Sequence, residues 1–455
     1  MKHFAISIIT GMFFLVVSAF SPGEKPILLV ITDIGGDPDD QQSLTRLLVY
    51  SNEFDIRGLI ASASGTRGEL GVDTVKDQLI REYIDAYAKV YTYLVQHASG
   101  YPGPDSLLAT VKKGNPKRGP EQIGQDHDTE GSEWIIRVVD MAGEQPVHVA
   151  VWGGQTDLAQ ALWKIKNTRD FTGYSEFLSR LRVYDIDDQD GLYPYIRQEF
   201  PGVFYILAKA PDGADKREGA YRGMYLGGDE SLTSGQWIDD NIRLDHGPLG
   251  EMYPPKTWTA PNPYGALKEG DTPSWFYFLR SGLQDPEHPG WGGWGGRFKP
   301  AGDNFYRDDA DFADTLINAR STVSRWRPAF QNDFQARMEW CILPYDQANH
   351  PPVAVVMGDQ TKDILYMEAS GGDTLIFSAM DSYDMDADKL NFTWWVYPEA
   401  GTSMQCPGLE NYLTPEVSLA VPGDESGTEL HLICEVTDQG VPALTSYRRI
   451  VIRIF

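Results

Sequence analysis

Cysteine is nearly absent from this chain of 455 residues: Cys341, Cys406 and Cys434 are all it has. An odd count allows at most one intramolecular bridge. Cys406–Cys434 is the expected pair, because both lie in the last segment. No closely spaced Cys or His set is present, which argues against a zinc site. Long apolar runs are also missing. The stretch from Phe4 to Val17 falls short of a bilayer span. With Lys2 and His3 before it and Val17-Ser18-Ala19 after it, the stretch reads as a secretory signal (residues 1–19) cleaved near Ala19. The expected location is therefore periplasmic or secreted, without a membrane partner, and no Cys near the cleavage site supports a lipoprotein anchor. Basic residues are scarce, with 39 Lys and Arg against 65 Asp and Glu and a net charge of −26. That balance excludes nucleic-acid polymers and anionic membranes as partners. It suits a neutral or cationic ligand and bound metal, although a solvated acidic surface gives the same number. There is no P-loop, and Asp33-Ile34-Gly35 breaks the Asp-x-Asp-x-Thr pattern of aspartyl phosphotransfer.

What the sequence does have is concentrated between Ile27 and Tyr50. The apolar run Ile27 to Ile31 predicts a buried strand. Asp33, Asp37, Asp39 and Asp40 then crowd a turn threaded on Gly35, Gly36 and Pro38. Leu44, Leu47 and Leu48 follow at helical spacing. Carboxylates so close repel one another unless something cationic lies between them, and a hard divalent cation is the obvious candidate. The plain alternative is a solvated helix N-terminus, where aspartates favour the dipole.

Downstream, segments predicted as strands at Phe54–Ala63, 147–151, 181–186 and 203–207 alternate with helical patterns from Val75 to about Leu94, Ser132 to Met141 and Leu158 to Ile165. Such alternation indicates an α/β domain with a mainly parallel sheet. Its ligands sit at the carboxyl ends of the strands. The polar stretch from Tyr101 to Asp128 reads as a long surface loop of the kind that edges a site. Helices are predicted for Trp275–Leu279, Phe312–Trp326 and Phe330–Trp340. After Asn349-His350-Pro351-Pro352 come short alternating segments, ending in Arg448–Phe455. These imply a β-sandwich over residues 350–455, after an α/β domain over residues 24–345. Within it Asp381, Asp384, Asp386 and Asp388 read as a solvated turn first and a weak calcium turn second.

The acidic turn resembles the nucleoside hydrolase signature, a strand followed by Asp-Thr-Asp-x-Gly-x-Asp-Asp. Thr32-Asp33-Ile34-Gly35 and Asp39-Asp40 match it, with two extra residues between the halves. Gly58-Leu59-Ile60-Ala61 with Ser64-Gly65 is similar to that family's second strand and loop, and Gly153-Gly154-Gln155-Thr156-Asp157-Leu158-Ala159 to its Gly-Pro-Leu-Thr-Asn-x-Ala turn. The whole chain resembles a narrower group, exported nucleoside-hydrolase-like proteins often labelled cellulose-binding, with a β-sandwich tail of Ig or cadherin type. Glu269-Gly270-Asp271-Thr272-Pro273-Ser274 and Asp285-Pro286-Glu287 carry that likeness.

The resemblance implies calcium held by Asp33, Asp40, the Thr156 carbonyl and Asp271. Asp33 would take a proton from a metal-activated water that attacks the anomeric carbon. Asp39 and Asn241 would hold sugar hydroxyls. Where the family often has a His before its last aspartate, Gly270 stands, and His246 is the substitute; a structural hydrogen-bonding role for His246 is the alternative. Trp291 and Trp294 could stack on sugar faces, or anchor a loop as buried side chains. Two readings follow. One is a calcium-dependent hydrolase of glycosyl bonds, N-glycosyl by family implication with an O-glycoside as the variant, acting on a small sugar, glycoside or polysaccharide. The other is a non-catalytic carbohydrate-binding protein that uses the same pocket.

Overall fold

Every residue of Ile27–Thr32 (β1) is buried, as a strand covered on both faces must be. In the computed structural model, which describes residues 24–64, 74–257, 266–313 and 316–455, β1 lies inside an eight-stranded sheet. The other strands are β2 (Asp55–Ala61), β3 (Val111–Lys113), β4 (Val147–Val151), β5 (Leu181–Ile186), β6 (Phe204–Ala208), β7 (Phe298–Gly302) and β8 (Phe305–Asp308). Their order is β3-β2-β1-β4-β5-β6-β8-β7. All neighbours run parallel except β7 against β8. The chain is therefore an α/β fold with a mainly parallel sheet.

Alternation along β1 divides the core in two. Leu28 and Val30 pack beneath α1 (Asp39–Val49), α2 (Asp77–His97), α3 (Pro104–Thr110) and the helix Arg327–Glu339. Ile27, Leu29 and Ile31 face α4 (Glu130–Met141), α5 (Gln155–Thr168), α6 (Phe171–Arg180) and α7 (Tyr193–Glu199). The chain leaves β1 toward β2, while β4 lies on the other side of β1. The connections leaving β1 and β4 thus run to opposite faces of the sheet and open a crevice at the strands' carboxyl ends.

A second, all-β unit follows. Leu365–Ala369, Thr445–Ile454, Glu429–Thr437 and Asn391–Val396 make one sheet, and Thr374–Ser378, Glu416–Ala420 and Leu409–Glu410 the other. Phe377, Trp394, Leu419, Leu432, Ile450 and Ile452 fill the space between them.

Several expectations change. The Tyr101–Asp128 stretch is not one loop: Pro at the first helical turn starts α3, and β3 forms an edge strand before the chain becomes irregular at Gly114. The helix expected over Phe312–Trp326 is mostly a hairpin of Asp311–Ala313 with Leu316–Asn318, followed by the short helix Ser321–Ser324. Phe312 and Ile317 face each other across this hairpin and are exposed, so their apolarity had suggested a helix core that does not exist. All three cysteines are free thiols: Cys434 is buried in the sandwich core and Cys406 is exposed. The Cys406–Cys434 bridge is thereby corrected. The expected signal, residues 1–19, lies outside the described residues. Among those, no helix is long and apolar enough to cross a membrane.

Candidate metal centre

Asp33 follows directly on β1, and Asp39 and Asp40 form the first turn of α1. Gly35 has φ +98°, which a side chain would resist, so the turn between them bends there. Gly153, at the end of β4, comes so close that a Cβ on it would lie 2.6 Å from the Asp33 carboxyl carbon. The crevice between β1 and β4 therefore brings Asp33 to its floor.

Asp271 arrives from far along the chain, held by α1. The Gln42 side chain donates to the carbonyls of Pro254 and Ala266 and accepts from the Lys268 amide at 2.9 Å. The buried Arg46 guanidinium pairs with Glu269, which also accepts from the Tyr253 hydroxyl at 2.6 Å. Trp152 Nε1 donates to Ser274 Oγ at 2.9 Å, and that hydroxyl donates to the Asp271 carbonyl at 2.6 Å. Segment 266–274 is thus tied both to α1 and to the end of β4.

These ties gather Asp39, Asp40 and Asp271 so that one carboxylate oxygen of each lies within 4.8 Å of the others, all three residues being buried. They sit with Asp33 and Asp37 in a polar cavity of about 1280 Å³. Burial, reinforced by the neighbouring carboxyls, pushes Asp40 and Asp271 well above the usual carboxylate range. Asp33 is pushed up to about 6, chiefly by burial, with Arg118 working against the shift. The Thr32 hydroxyl donates to Asp40 Oδ1. Asp271 Oδ2 is buried with no hydrogen-bond partner.

Two cations partly offset this charge. Lys268 Nζ lies 2.6 Å from Asp37 and 2.9 Å from Asp39. Burial opposes its charge, but Asp39 and Asp37 outweigh that and hold its pKa above normal. Arg118 Nη2 donates to Asp33 Oδ2 at 2.6 Å and to the Ala63 carbonyl at 2.7 Å. The donor set of Asp39, Asp40 and Asp271 contains only oxygen and includes an unsatisfied carboxylate oxygen. That combination fits a hard divalent cation such as calcium.

The model of the nucleoside-hydrolase-like domain of cellulose-binding Sde182 matches residues 27–298, and that of the Sde0182 C-terminal domain matches residues 374–454. A solved structure of a nucleoside hydrolase-related hypothetical protein from Saccharophagus degradans, associated with carbohydrate metabolism, is 33% identical. It covers 95% of this chain and 100% of its own, at a TM-score of 0.80. The chain belongs to the cellulose-binding Sde182 family. A second structure, of the effector protein XOO4466, is 11% identical, covers 71% of this chain and 95% of its own, and has a TM-score of 0.39. No curated protein matches.

Within this family frame the structure separates the residues expected at the site. Asp33, Asp37, Asp39, Asp40 and Asp271 all line the cavity. Thr156 does not: its amide and hydroxyl both donate to Asp190, at 2.9 and 2.6 Å, and its hydroxyl accepts from the Gly119 amide. Its neighbour Asp157 accepts from Asn115, Thr129 and Ser62. The turn after β4 therefore pins the segment carrying Arg118, and the Thr156 side chain serves that positioning role.

Asn241 is also outside the cavity, its amide donating to the Trp237 carbonyl one helical turn back. His246 Nδ1 donates to the Leu244 carbonyl at 2.7 Å, and burial lowers its pKa; it is the structural histidine. Trp291 is stacked on His288 at 4.0 Å and abuts His431 of the sandwich. Trp294 packs on Phe276, Phe330 and Tyr447. Both tryptophans are buried between the two units and offer no sugar platform.

Sequence reasoning missed Arg118, Lys268 and the acidic group after β5. A signal for the last was present: Asp187, Asp188 and Asp190 follow a predicted strand, as Asp33 does. Asp187 and Asp188 have φ of +69° and +53°, a strained backbone at the rim of the cavity.

Proposed function

We propose that this chain is an exported protein that binds carbohydrate in the Asp33–Asp271 cavity with the help of calcium and hydrolyses a glycosyl bond there. The observation that carries this reading is the buried set Asp39, Asp40 and Asp271, with its unsatisfied oxygen, on the floor of a large polar cavity. The family's cellulose-binding label and the S. degradans relative's association with carbohydrate metabolism supply the ligand class. Asp39, Asp40 and Asp271 would hold the ion, which when bound supplies Lewis acidity toward sugar hydroxyls and water.

Asp33 accepts the proton of the attacking water. Its burial keeps it more basic than an ordinary aspartate. Arg118 orients the Asp33 carboxyl and must loosen its hold for the proton to be taken. Lys268 pairs with Asp37 and Asp39 and works against the burial that raises the Asp39 pKa, so that Asp39 can accept a hydrogen bond from the sugar.

One observation favours the second reading, binding without catalysis: a carboxylate hydrogen-bonded by a guanidinium at 2.6 Å is a weakened base. The two separate cleanly. The mature protein with calcium is incubated with nucleosides and with cello-oligosaccharides and acidic oligosaccharides, and free sugar is measured. Release of sugar by wild type but not by Asp33→Asn supports the hydrolase. No release of sugar by the wild type, with binding that persists in Asp33→Asn, establishes the binding protein.

A further inference from the structure

The wall of the cavity beside the carboxyl cluster is built differently from its floor. Most cations there have acid partners: Arg118 has Asp33, Lys268 has Asp37 and Asp39, Lys209 has Asp188, and Arg217 has Asp215. Arg222 and Lys216 also line the cavity. Among the described residues neither has a carboxylate within ion-pair distance. Arg222 is instead fixed by neutral oxygens: Nε donates to the Lys216 carbonyl at 2.9 Å, and Nη1 donates to the Tyr225 hydroxyl. Asp187 attracts it through space only. A guanidinium carries five N–H donors in a rigid fork, so most of this one is not committed to acceptors in the protein. Its Cζ lies 4.8 Å from the Tyr221 ring centre. The same ring also approaches the metal centre: a Cβ on Gly270 would lie 3.4 Å from both Asp39 Oδ2 and Tyr221 Cδ2.

Arg222 offsets the neighbouring Asp187 through space, and its remaining donors leave room for an anion to join it, even in a chain with a net charge of −26. Repulsion of that anion by the distant surface is screened beyond about 10 Å at 0.1 M salt. The planar fork suits a carboxylate or a sulfate group, which Arg binds through paired hydrogen bonds.

We propose that Arg222 and Lys216, beside the Tyr221 ring, form a subsite for an anionic substituent of the sugar, so that the protein takes acidic carbohydrate in preference to neutral glucan. This rests on the carbohydrate reading above and names its substrate class. The sugar hydroxyls would face the Asp39 side of Tyr221 and the anionic group the Arg222 side.

The test is titration calorimetry of the full mature chain with calcium, using cellopentaose, penta-galacturonate and a sulfated galactan pentamer. At least one acidic probe is expected to bind about tenfold tighter than cellopentaose, the scale of one charge-assisted hydrogen bond. The probe that gains decides between carboxylate and sulfate. Arg222→Gln is expected to remove most of that preference. Lys216→Gln, at an exposed position, is expected to reduce it without touching the fold. Equal binding of neutral and acidic probes, or a preference that survives both variants, overturns the subsite and leaves the carbohydrate reading standing. Binding of none of the three probes overturns both.

Discussion

Asp271 and Asp311 are both buried aspartates, at 2% and 0% exposure, yet they sit in opposite kinds of surroundings. At the junction with the sandwich, Asp311 accepts from Arg297 Nε at 2.7 Å on one oxygen, and from Arg325 Nη1 at 2.9 Å and the Tyr397 hydroxyl on the other. In the cavity, Asp271 faces other carboxyls and one of its oxygens has no hydrogen-bond partner. A buried charge that the protein neutralises itself holds the structure together. A buried carboxyl left among like groups is relieved only by taking up a proton or a cation from solution. Trp291 and Trp294 also belong to the junction, where they pack on the rings of His288 and His431 and of Phe276, Phe330 and Tyr447.

The largest expected effect is at the junction. Asp311→Ala takes from the buried Arg297 and the half-buried Arg325 the acid they share, leaving them only Asp309 and Glu399, and should lower the unfolding free energy by about 3 kcal/mol, read from denaturant titration. A loss under 1 kcal/mol would erase the distinction drawn between the two aspartates.

Next comes calcium itself. At a hundredfold excess over its Kd, the ion should stabilise the wild type by about 2.7 kcal/mol, seen as a rise in melting temperature that chelation reverses. Asp271→Asn should abolish that rise while leaving the metal-free protein as stable as wild type or more so, because it removes a repelling charge.

A smaller effect is tied to pH. Burial and the neighbouring Arg449 push His431 down to about 2, and its Nδ1 accepts from Arg449 at 2.9 Å. The folded pKa lies below the unfolded one, so the unfolded chain takes up the proton first and stability is lost as pH falls below about 6.5. The stability difference between wild type and His431→Asn should therefore shrink by about 1.4 kcal/mol over the one pH unit from about 5.5 to about 4.5. A constant difference would mean that the junction tolerates the charged ring.

The smallest effect tests the sulfur chemistry. Cys406→Ser, at an exposed free thiol, should change stability by less than about 0.5 kcal/mol. A larger loss, matched by reduction of the wild type, would restore the bridge to Cys434.

Much of the fold was legible because it is written in local periods. The continuous apolar run of β1, the helical spacing in α1 and the alternation near Ile450 each report one face of one element. The acidic turn was legible for the same reason, since Asp33, Asp37, Asp39 and Asp40 are neighbours in the chain. Where the pattern misled, as at Phe312 and Ile317, apolar side chains lie on the surface of a hairpin and report no core.

The sequence by itself determined the α/β sheet, the β-rich tail, and four of the acids that line the cavity, because each depends on residues within a turn or two of one another. Only the tertiary structure decided what those acids meet. Lys268 reaches them through segment 266–274, tied to Gln42 and Arg46, and Arg118 through a segment pinned by Thr156 and Asp157. Charge compensation depends on distance in space and not on spacing in the chain. So the sequence could place the acids but could not say that Asp33 is held by a guanidinium or that Asp271 is left with an open oxygen.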